Sequence, residues 1–324
     1  MQCFILAGGF ATRLWPLTEK RAKPLLPLQG QPLLSHVVSK VPENMPITVS
    51  TNAVFGDDMK AWAKTLPKRS ITIRIEDTGH EDQKLGALGA VRAWMEMDGL
   101  HDDVLLLAGD NYIGFDLTQL IRAYHGNPIL VAHDLQDISL ARSFGTVIVE
   151  KNDQEVKTVK AFEEKPEKPK SSLISTGCSI LPKEHRSLIL DYAKRKPDNI
   201  GGIFEEFLAK NISVECLVST DMWRDIGSFE SYLETNMTLL KNTQMMDPSS
   251  SLDAASSMKG GVFVGPKTRI GHSTIENCVL FGSSIINDCV LRDCVVDEGC
   301  TLTGVDIDGK MIRAGTTLIR STNS

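Results

Sequence analysis

Between Val264 and Cys300 the chain repeats itself at five- and six-residue intervals. The apolar pairs Val279-Leu280, Ile285-Ile286, Val290-Leu291 and Val295-Val296 are each preceded by a small residue, Cys278, Ser284, Cys289 and Cys294, and Cys300 continues the series. Val264-Gly265 and Ile270-Gly271 precede them with the same spacing. Neither an α-helix nor a meander has this period. It suits one flat side of a parallel β-helix, where small residues turn each corner and apolar ones stack inside. About three coils are expected, with an exposed end that favours a homo-oligomer over a lone monomer. The clustered cysteines are then small core residues, since thiols along one solenoid face do not enclose a tetrahedral metal site.

The sequence before about residue 240 has another texture. Apolar runs at Gln2–Leu6, Ile47–Thr51, Ile71–Glu76, Asp103–Leu107 and Ile129–His133 have the character of buried parallel strands. Helical patterns at Leu33–Lys40, Phe55–Lys64, Leu85–Met97 and Leu117–Tyr124 separate them. This alternation predicts an α/β layered domain with ligands at the carboxyl ends of the strands. From Phe144 the sequence becomes strand-rich (145–150, 156–162, 174–181) and predicts an insertion that closes over the edge of the sheet. The Ser-rich stretch 242–258 predicts a linker. The expected organisation is therefore a catalytic domain over 1–241, a linker over 242–258 and a β-helix over 259–324.

Charge and cysteine usage exclude several classes. With 35 Lys and Arg against 41 Asp and Glu, and no long basic run, the chain lacks the footprint of a nucleic-acid binder. No apolar stretch reaches the roughly 18–20 residues that span a bilayer, and the start lacks a signal-peptide pattern, so no membrane partner and a cytoplasmic location are expected. None of the 7 cysteines forms a CxxC pair, which argues against a disulfide framework or a zinc knuckle.

The densest chemical feature is Leu6-Ala7-Gly8-Gly9-Phe10-Ala11-Thr12-Arg13-Leu14, followed by Ala22-Lys23-Pro24. A strand that runs into paired glycines lets backbone N–H groups approach a phosphate chain, and Arg13 and Lys23 add fixed positive charge. This is a polyphosphate cradle, yet neither a Walker A loop nor a dinucleotide fingerprint.

The segment resembles the signature of the sugar-1-phosphate nucleotidylyltransferases, the nucleoside-diphosphate-sugar pyrophosphorylases. The family pattern has Gly where Ala11 stands, a replacement costing about 1 kcal/mol if a positive φ is needed. The resemblance implies a Rossmann-like mixed-sheet nucleotidyltransferase domain of the α/β class followed by a short left-handed parallel β-helix. It also implies an NTP and a sugar-1-phosphate as substrates and Mg²⁺ as cofactor.

Later motifs follow in family order. Asp110, in Leu107-Ala108-Gly109-Asp110-Asn111, and Asp225, in Trp223-Arg224-Asp225-Ile226-Gly227, are by resemblance the two Mg²⁺ ligands, although Asp110 could merely cap a turn. Two carboxylates completed by phosphate oxygens and waters suit that ion. In Glu164-Lys165-Pro166 the resemblance gives Glu164 to the sugar hydroxyls and Lys165 to the sugar phosphate; read without it, this is a charged strand end before a proline turn. Gly145 and Thr176 resemble positions where a sugar lies against backbone. Leu6, Ala7, Gly8, Gly9, Thr12 and Arg13 are assigned to the nucleotide, with Glu76 facing the base and Gly86 opening the nucleotide-binding helix. Ala87 and Leu88 depart from the usual Thr-Ala there. Glu76 is acceptor-only, which suits guanine N1–H and N2–H₂ but also a pyrimidine N3–H, and a purely structural glutamate fits as well.

The resemblance implies Arg13, Lys23 and Lys165 as the catalytic group. Glucose-1-phosphate with dTTP or UTP is expected ahead of mannose-1-phosphate with GTP on family frequency, with Glu76 pulling toward the latter. A cytidylyltransferase acting on a phosphorylated alcohol would share the cradle, but Glu164-Lys165-Pro166 and Gly145 favour a sugar. A silent regulatory subunit would lose charges that this chain retains, and an acetyltransferase tail would need a longer solenoid.

Overall fold

The computed structural model describes residues 1–80, 85–97, 99, 101–152 and 154–320. It divides into two compact units, one of residues 1–9 and 36–223, the other of residues 10–35 and 224–324. This boundary differs from the expected one. The cradle loop leaves the domain whose strand launches it and belongs with the C-terminal unit.

The first unit is built on a nine-stranded mixed sheet of β1 (Gln2–Leu6), β2 (Ile47–Asn52), β3 (Ile71–Glu76), β4 (Val104–Ala108), β5 (Ile129–Asp134), β6 (Gly145–Val149), β7 (Val156–Glu164), β8 (Leu173–Leu181) and β9 (Glu215–Ser219). Their order is β3-β2-β1-β4-β8-β5-β9-β7-β6. β1 pairs in parallel with β2 and β4, so the carboxyl ends of all three lie on one edge. β8 runs antiparallel between β4 and β5. The strand-rich region is therefore not an insertion over the edge: β8 lies in the centre of the sheet, and only β6 and β7 extend it. Its buried run Cys178 to Leu181 is apolar enough for a central strand, but a local pattern does not name the neighbours with which a strand pairs.

Helices α2 (Gly56–Lys64), α3 (Ala87–Met97), α4 (Leu117–Ala123), α5 (Arg186–Arg195) and α6 (Gly202–Ala209) connect these strands. The core combines Phe4 and Leu106 of the sheet with Trp94 of α3, Tyr192 of α5 and Phe207 of α6. Phe4 and Trp94 stack with ring centroids 4.6 Å apart.

In the second unit a helix over Phe229–Leu240, closed at its N-terminus by a Ser228–Ser231 capping box, leads directly into the β-helix. Three parallel sheets of five, five and four strands stack coil upon coil, the architecture of a left-handed parallel β-helix. Phe263 pairs with Val279, and Val279 with Val295, so each coil is sixteen residues long. Among the described residues there are five coils rather than about three. The expected linker is in fact the first of them: Gln244–Met246, Ser251–Leu252 and Ser257–Lys259 are strands paired to the coil that follows. Its repeat is stretched, with Gln244 opposite Val262, and Gln244–Met246 is exposed at the edge of its sheet. Its apolar pattern is correspondingly weak, with Leu252 and Met258 packed on the core.

The corners explain the cysteines. Asn277, Asp288, Asp293 and Gly299 adopt positive φ, and the buried thiol that follows each turns inward. Cys278 donates to Glu276 O at 3.0 Å and Cys294 to Arg292 O at 2.9 Å, as the Ser284 hydroxyl does to Gly282 O at 3.0 Å. All seven cysteines are free and buried.

Candidate active site

In the first unit, β1 delivers Leu6 and Ala7 to the Gly8-Gly9 turn. The Ala7 N–H donates to Ser50 O at 2.9 Å, so the buried Ala7 is held in the sheet, and Gly9 is the exposed member of the pair. The Gly8 carbonyl accepts from Asn52 Nδ2 at 3.0 Å. Glu76, at the end of β3, accepts from the Ser50 hydroxyl at 2.6 Å, and a Cβ on Gly8 would lie 3.3 Å from its Oε1. Three neighbouring strand ends thus gather Gly8, Ser50, Asn52 and Glu76. Burial pushes the Glu76 carboxyl above the usual range. Ser50 and Asn52 carry no motif, and only their register across the β1–β2 pair exposes their part. On the other side of β1, the Gly109 N–H donates to Leu6 O at 2.8 Å and sets the half-buried Asp110 just past the end of β4.

Glu164 ends β7. Its N–H donates to Glu205 Oε1 at 3.0 Å, and burial pushes its carboxyl upward. Its Oε2 lies over Gly201, where a Cβ would meet it and the Phe162 ring, so a side chain there has to displace the carboxylate. Lys165 has φ of 46°, a left-handed conformation that a residue before proline rarely adopts, and its N–H donates to Phe144 O at 3.1 Å. Its exposed ammonium stands 3.9 Å from Glu164 Oε1. Gly145 faces the Phe162 ring, with Glu164 Oε2 beside it. Gly201 and Glu205 escaped the motif reading; the Gly201-Gly202 pair was the available signal.

Two further expected site residues are engaged within the protein. Thr176 is fully buried, its hydroxyl donates to Val131 O at 2.9 Å, and its carbonyl accepts from Trp223 Nε1 at 3.0 Å, so this side chain ties neighbouring strands of the sheet together. Gly86 stands immediately before α3, and its carbonyl accepts from the Ala90 N–H at 2.9 Å. Its φ is 78°, and the Pro197 carbonyl accepts from the N–H groups of Leu88, at 2.8 Å, and Gly89, at 3.1 Å. A chain segment already satisfies the amides at the start of α3, and the apolar Leu88 is buried beneath them.

In the second unit, Ala11 adopts φ 49° and ψ 45° at the head of a 3₁₀ turn over Thr12–Leu14. The Thr18 hydroxyl donates to its carbonyl at 2.8 Å. Thr12 and Arg13 are exposed on this turn, available to a ligand. Lys23 opens a second 3₁₀ turn, Lys23–Leu25, and is buried. Its ammonium lies 3.5 Å from Asp225 Oδ1. Among the described residues no group of three or more His, Cys, Asp and Glu side chains could hold a metal ion, and no helix is long and apolar enough to cross a membrane.

A glycine turn at a strand edge, followed by cations on tight turns, is the construction of an α/β transferase that handles phosphates. A family model described as nucleotidyl transferase matches residues 2–242, and the chain belongs to that family. It is 26% identical over 301 residues to a mannose-1-phosphate guanylyltransferase of Mycobacterium tuberculosis, covering 86% of this chain and 79% of that one. Similarity to a glucose-1-phosphate thymidylyltransferase of Streptomyces antibioticus is 24% over 340 residues, covering 97% and 87%. A Bacillus anthracis structure described as a glucose-1-phosphate thymidylyltransferase in complex with sucrose shares the fold, with a TM-score of 0.63 at 23% identity over 74% of this chain and 94% of that one.

Proposed function

We propose that the protein joins a nucleoside triphosphate and a sugar-1-phosphate into an NDP-sugar, releasing pyrophosphate. The observation that carries this reading is Glu164-Lys165-Pro166 at the end of β7. A carboxylate lies against Gly201 where no side chain intervenes, and a strained backbone presents the adjacent ammonium to solvent. That pairing suits a polyhydroxylated substrate bearing a phosphate.

A sugar phosphate oxygen attacks the α-phosphorus in line, the new P–O bond forms, and the bond to the β-phosphate breaks. The nucleophile is already an anion, so no general base is required and catalysis rests on positioning and charge. Gly8 and Gly9 let the triphosphate approach the backbone, Arg13 holds the departing pyrophosphate, and Lys23 and Lys165 neutralise the phosphates near the reacting centre. Asp110 and Asp225 fit a divalent cation in their chemistry: two hard oxygen donors, without a third protein ligand, match Mg²⁺ that keeps waters and phosphate oxygens. When bound, such an ion supplies neutralisation of charge at the α-phosphate.

Glucose-1-phosphate with dTTP or UTP is the first reading. A second, mannose-1-phosphate with GTP, is favoured by Glu76, whose carboxylate is held by Ser50 as an acceptor. The cytoplasm is the proposed location, in keeping with seven free cysteines. A homo-oligomer supported by the β-helix is proposed too, since Leu318 and Ile319 of its last coil are exposed. Pyrophosphate release across a panel of NTPs and sugar phosphates tests the reaction. Turnover with GTP and mannose-1-phosphate alone selects the second reading, and no turnover with any pair refutes both. In the same assay Asp110→Asn abolishes turnover with an unchanged fold, and retention of most activity would remove it from the metal site.

A further inference from the structure

One column of the β-helix grips the cradle loop. Phe281, Asp297 and Arg313 each follow a strand of the same sheet on successive coils; the Phe281 N–H donates to Val296 O at 2.9 Å and the Asp297 N–H to Ile312 O at 3.0 Å. All three meet two residues of the loop. The Arg21 guanidinium lies 4.9 Å from the centroid of the Phe281 ring, and its two terminal nitrogens donate to Asp297 Oδ1 at 3.1 Å and Glu298 Oε1 at 2.8 Å. Arg313 pairs with Glu19 at 3.2 Å.

An exposed ion pair would fix little. This arrangement differs in three respects. Phe281 and Asp297 are buried, Asp297 Oδ1 is further held by the Glu298 N–H at 2.8 Å, and the planar guanidinium is engaged on its face and its edge together. Beneath it, Phe281 packs edge-on against Tyr232, whose hydroxyl donates to Pro27 O on the far side of the loop. The loop is therefore clamped at residues 19, 21 and 27, and Lys23 lies between the clamps.

We infer that Arg21 is a positioning residue for Lys23, and that the β-helix acts in the reaction by fixing where the Lys23 ammonium stands beside Asp225. The functional half of this inference rests on the reading that Lys23 acts on the substrate phosphates; the geometric half does not.

Two measurements on the full-length protein separate the halves. In the first, lysine acylation by acetic anhydride is followed by mass spectrometry, with the exposed Lys20 as internal standard. Arg21→Ala is expected to raise labelling of Lys23 at least fivefold, Arg21→Lys less, and Arg292→Ala, which breaks an unrelated β-helix ion pair with Asp306, not at all. Unchanged labelling in Arg21→Ala overturns the proposal, and so does an equal rise in Arg292→Ala. In the second, kcat and KM are measured for Arg21→Ala, Lys23→Ala and the double variant, below the unfolding temperature of each. A fall in kcat of tenfold or more in Arg21→Ala, with no further fall when Arg21→Ala is added to Lys23→Ala, supports the functional half, and additive losses overturn it. If labelling rises while Lys23→Ala keeps full activity, the geometry stands and the role given to Lys23 fails.

Discussion

The ammonium of Lys23 lies 3.5 Å from Asp225 Oδ1 although the two residues stand near opposite ends of the family-matched region. The lysine is buried and the aspartate 40% exposed, so removing either one has unequal consequences. Asp225→Asn takes a counter-charge from a desolvated ammonium and should cost about 1–3 kcal/mol. Lys23→Met leaves a carboxylate that water reaches and should cost less. Urea unfolding of both variants checks the order. Both should lose on the order of 10² in kcat.

Ala11 occupies the left-handed region, at a cost of about 1 kcal/mol for a residue with a Cβ. Ala11→Gly should recover up to about 1 kcal/mol, less what the unfolded chain gains in freedom. A higher melting temperature with kcat changed less than twofold is the expected result. A lower one would show that the turn uses the alanine methyl group.

Burial raises the pKa of Glu76, so the native state holds its proton more tightly than the unfolded chain does. The stability this contributes is present below the unfolded value of about 4.3 and is lost as pH rises through the folded value. At neutral pH the ionised group therefore opposes folding. Glu76→Gln, which still accepts from Ser50, should raise the melting temperature at pH 7.5 and lose that advantage near pH 4. A shift in preference away from GTP in the same variant would tie this carboxylate to the base.

Gly201→Ala would place a Cβ against Glu164 Oε2 and displace the carboxylate. Since an error of about 1 Å in a positioning group can cost on the order of 10² in rate, KM for the sugar phosphate should rise about tenfold or more. KM for the NTP should hold. Equal effects on both would place Glu164 outside the sugar site.

At the β-helix corners, Cys300 donates to Arg313 O at 3.2 Å, and Ser284, one coil earlier, makes the equivalent bond to Asp297 O at 3.5 Å. Cys300→Ser should therefore change stability by less than about 1 kcal/mol. Cys300→Leu overfills the corner and should cost about 1–3 kcal/mol. Thermal unfolding of the two variants distinguishes a space-filling thiol from one with redox duty.

Short-range pattern was sufficient for much of this molecule. The boundaries of β1, β3 and α1 (Leu33–Lys40) follow from apolar runs and helical spacing, and the five- to six-residue repeat yields the β-helix from its second coil onward, because in each case the residues that define an element are its near neighbours. The glycine turn and its cations are legible for the same reason. Pairing across the fold decided the rest. β8 enters the centre of the sheet through partners 70 residues and more away in sequence. The Thr176 hydroxyl finds Val131 and the first amides of α3 find Pro197, partners that no local pattern names. The end coil over 244–259 lies at the edge of its sheets and has a correspondingly weak apolar signature. Arg21 looks like any surface arginine in the sequence. Only when Phe281 and Asp297 are brought one coil apart does the chain acquire a place to hold it, because a guanidinium is fixed by an aromatic face and a buried carboxylate together and no local stretch of this sequence contains both.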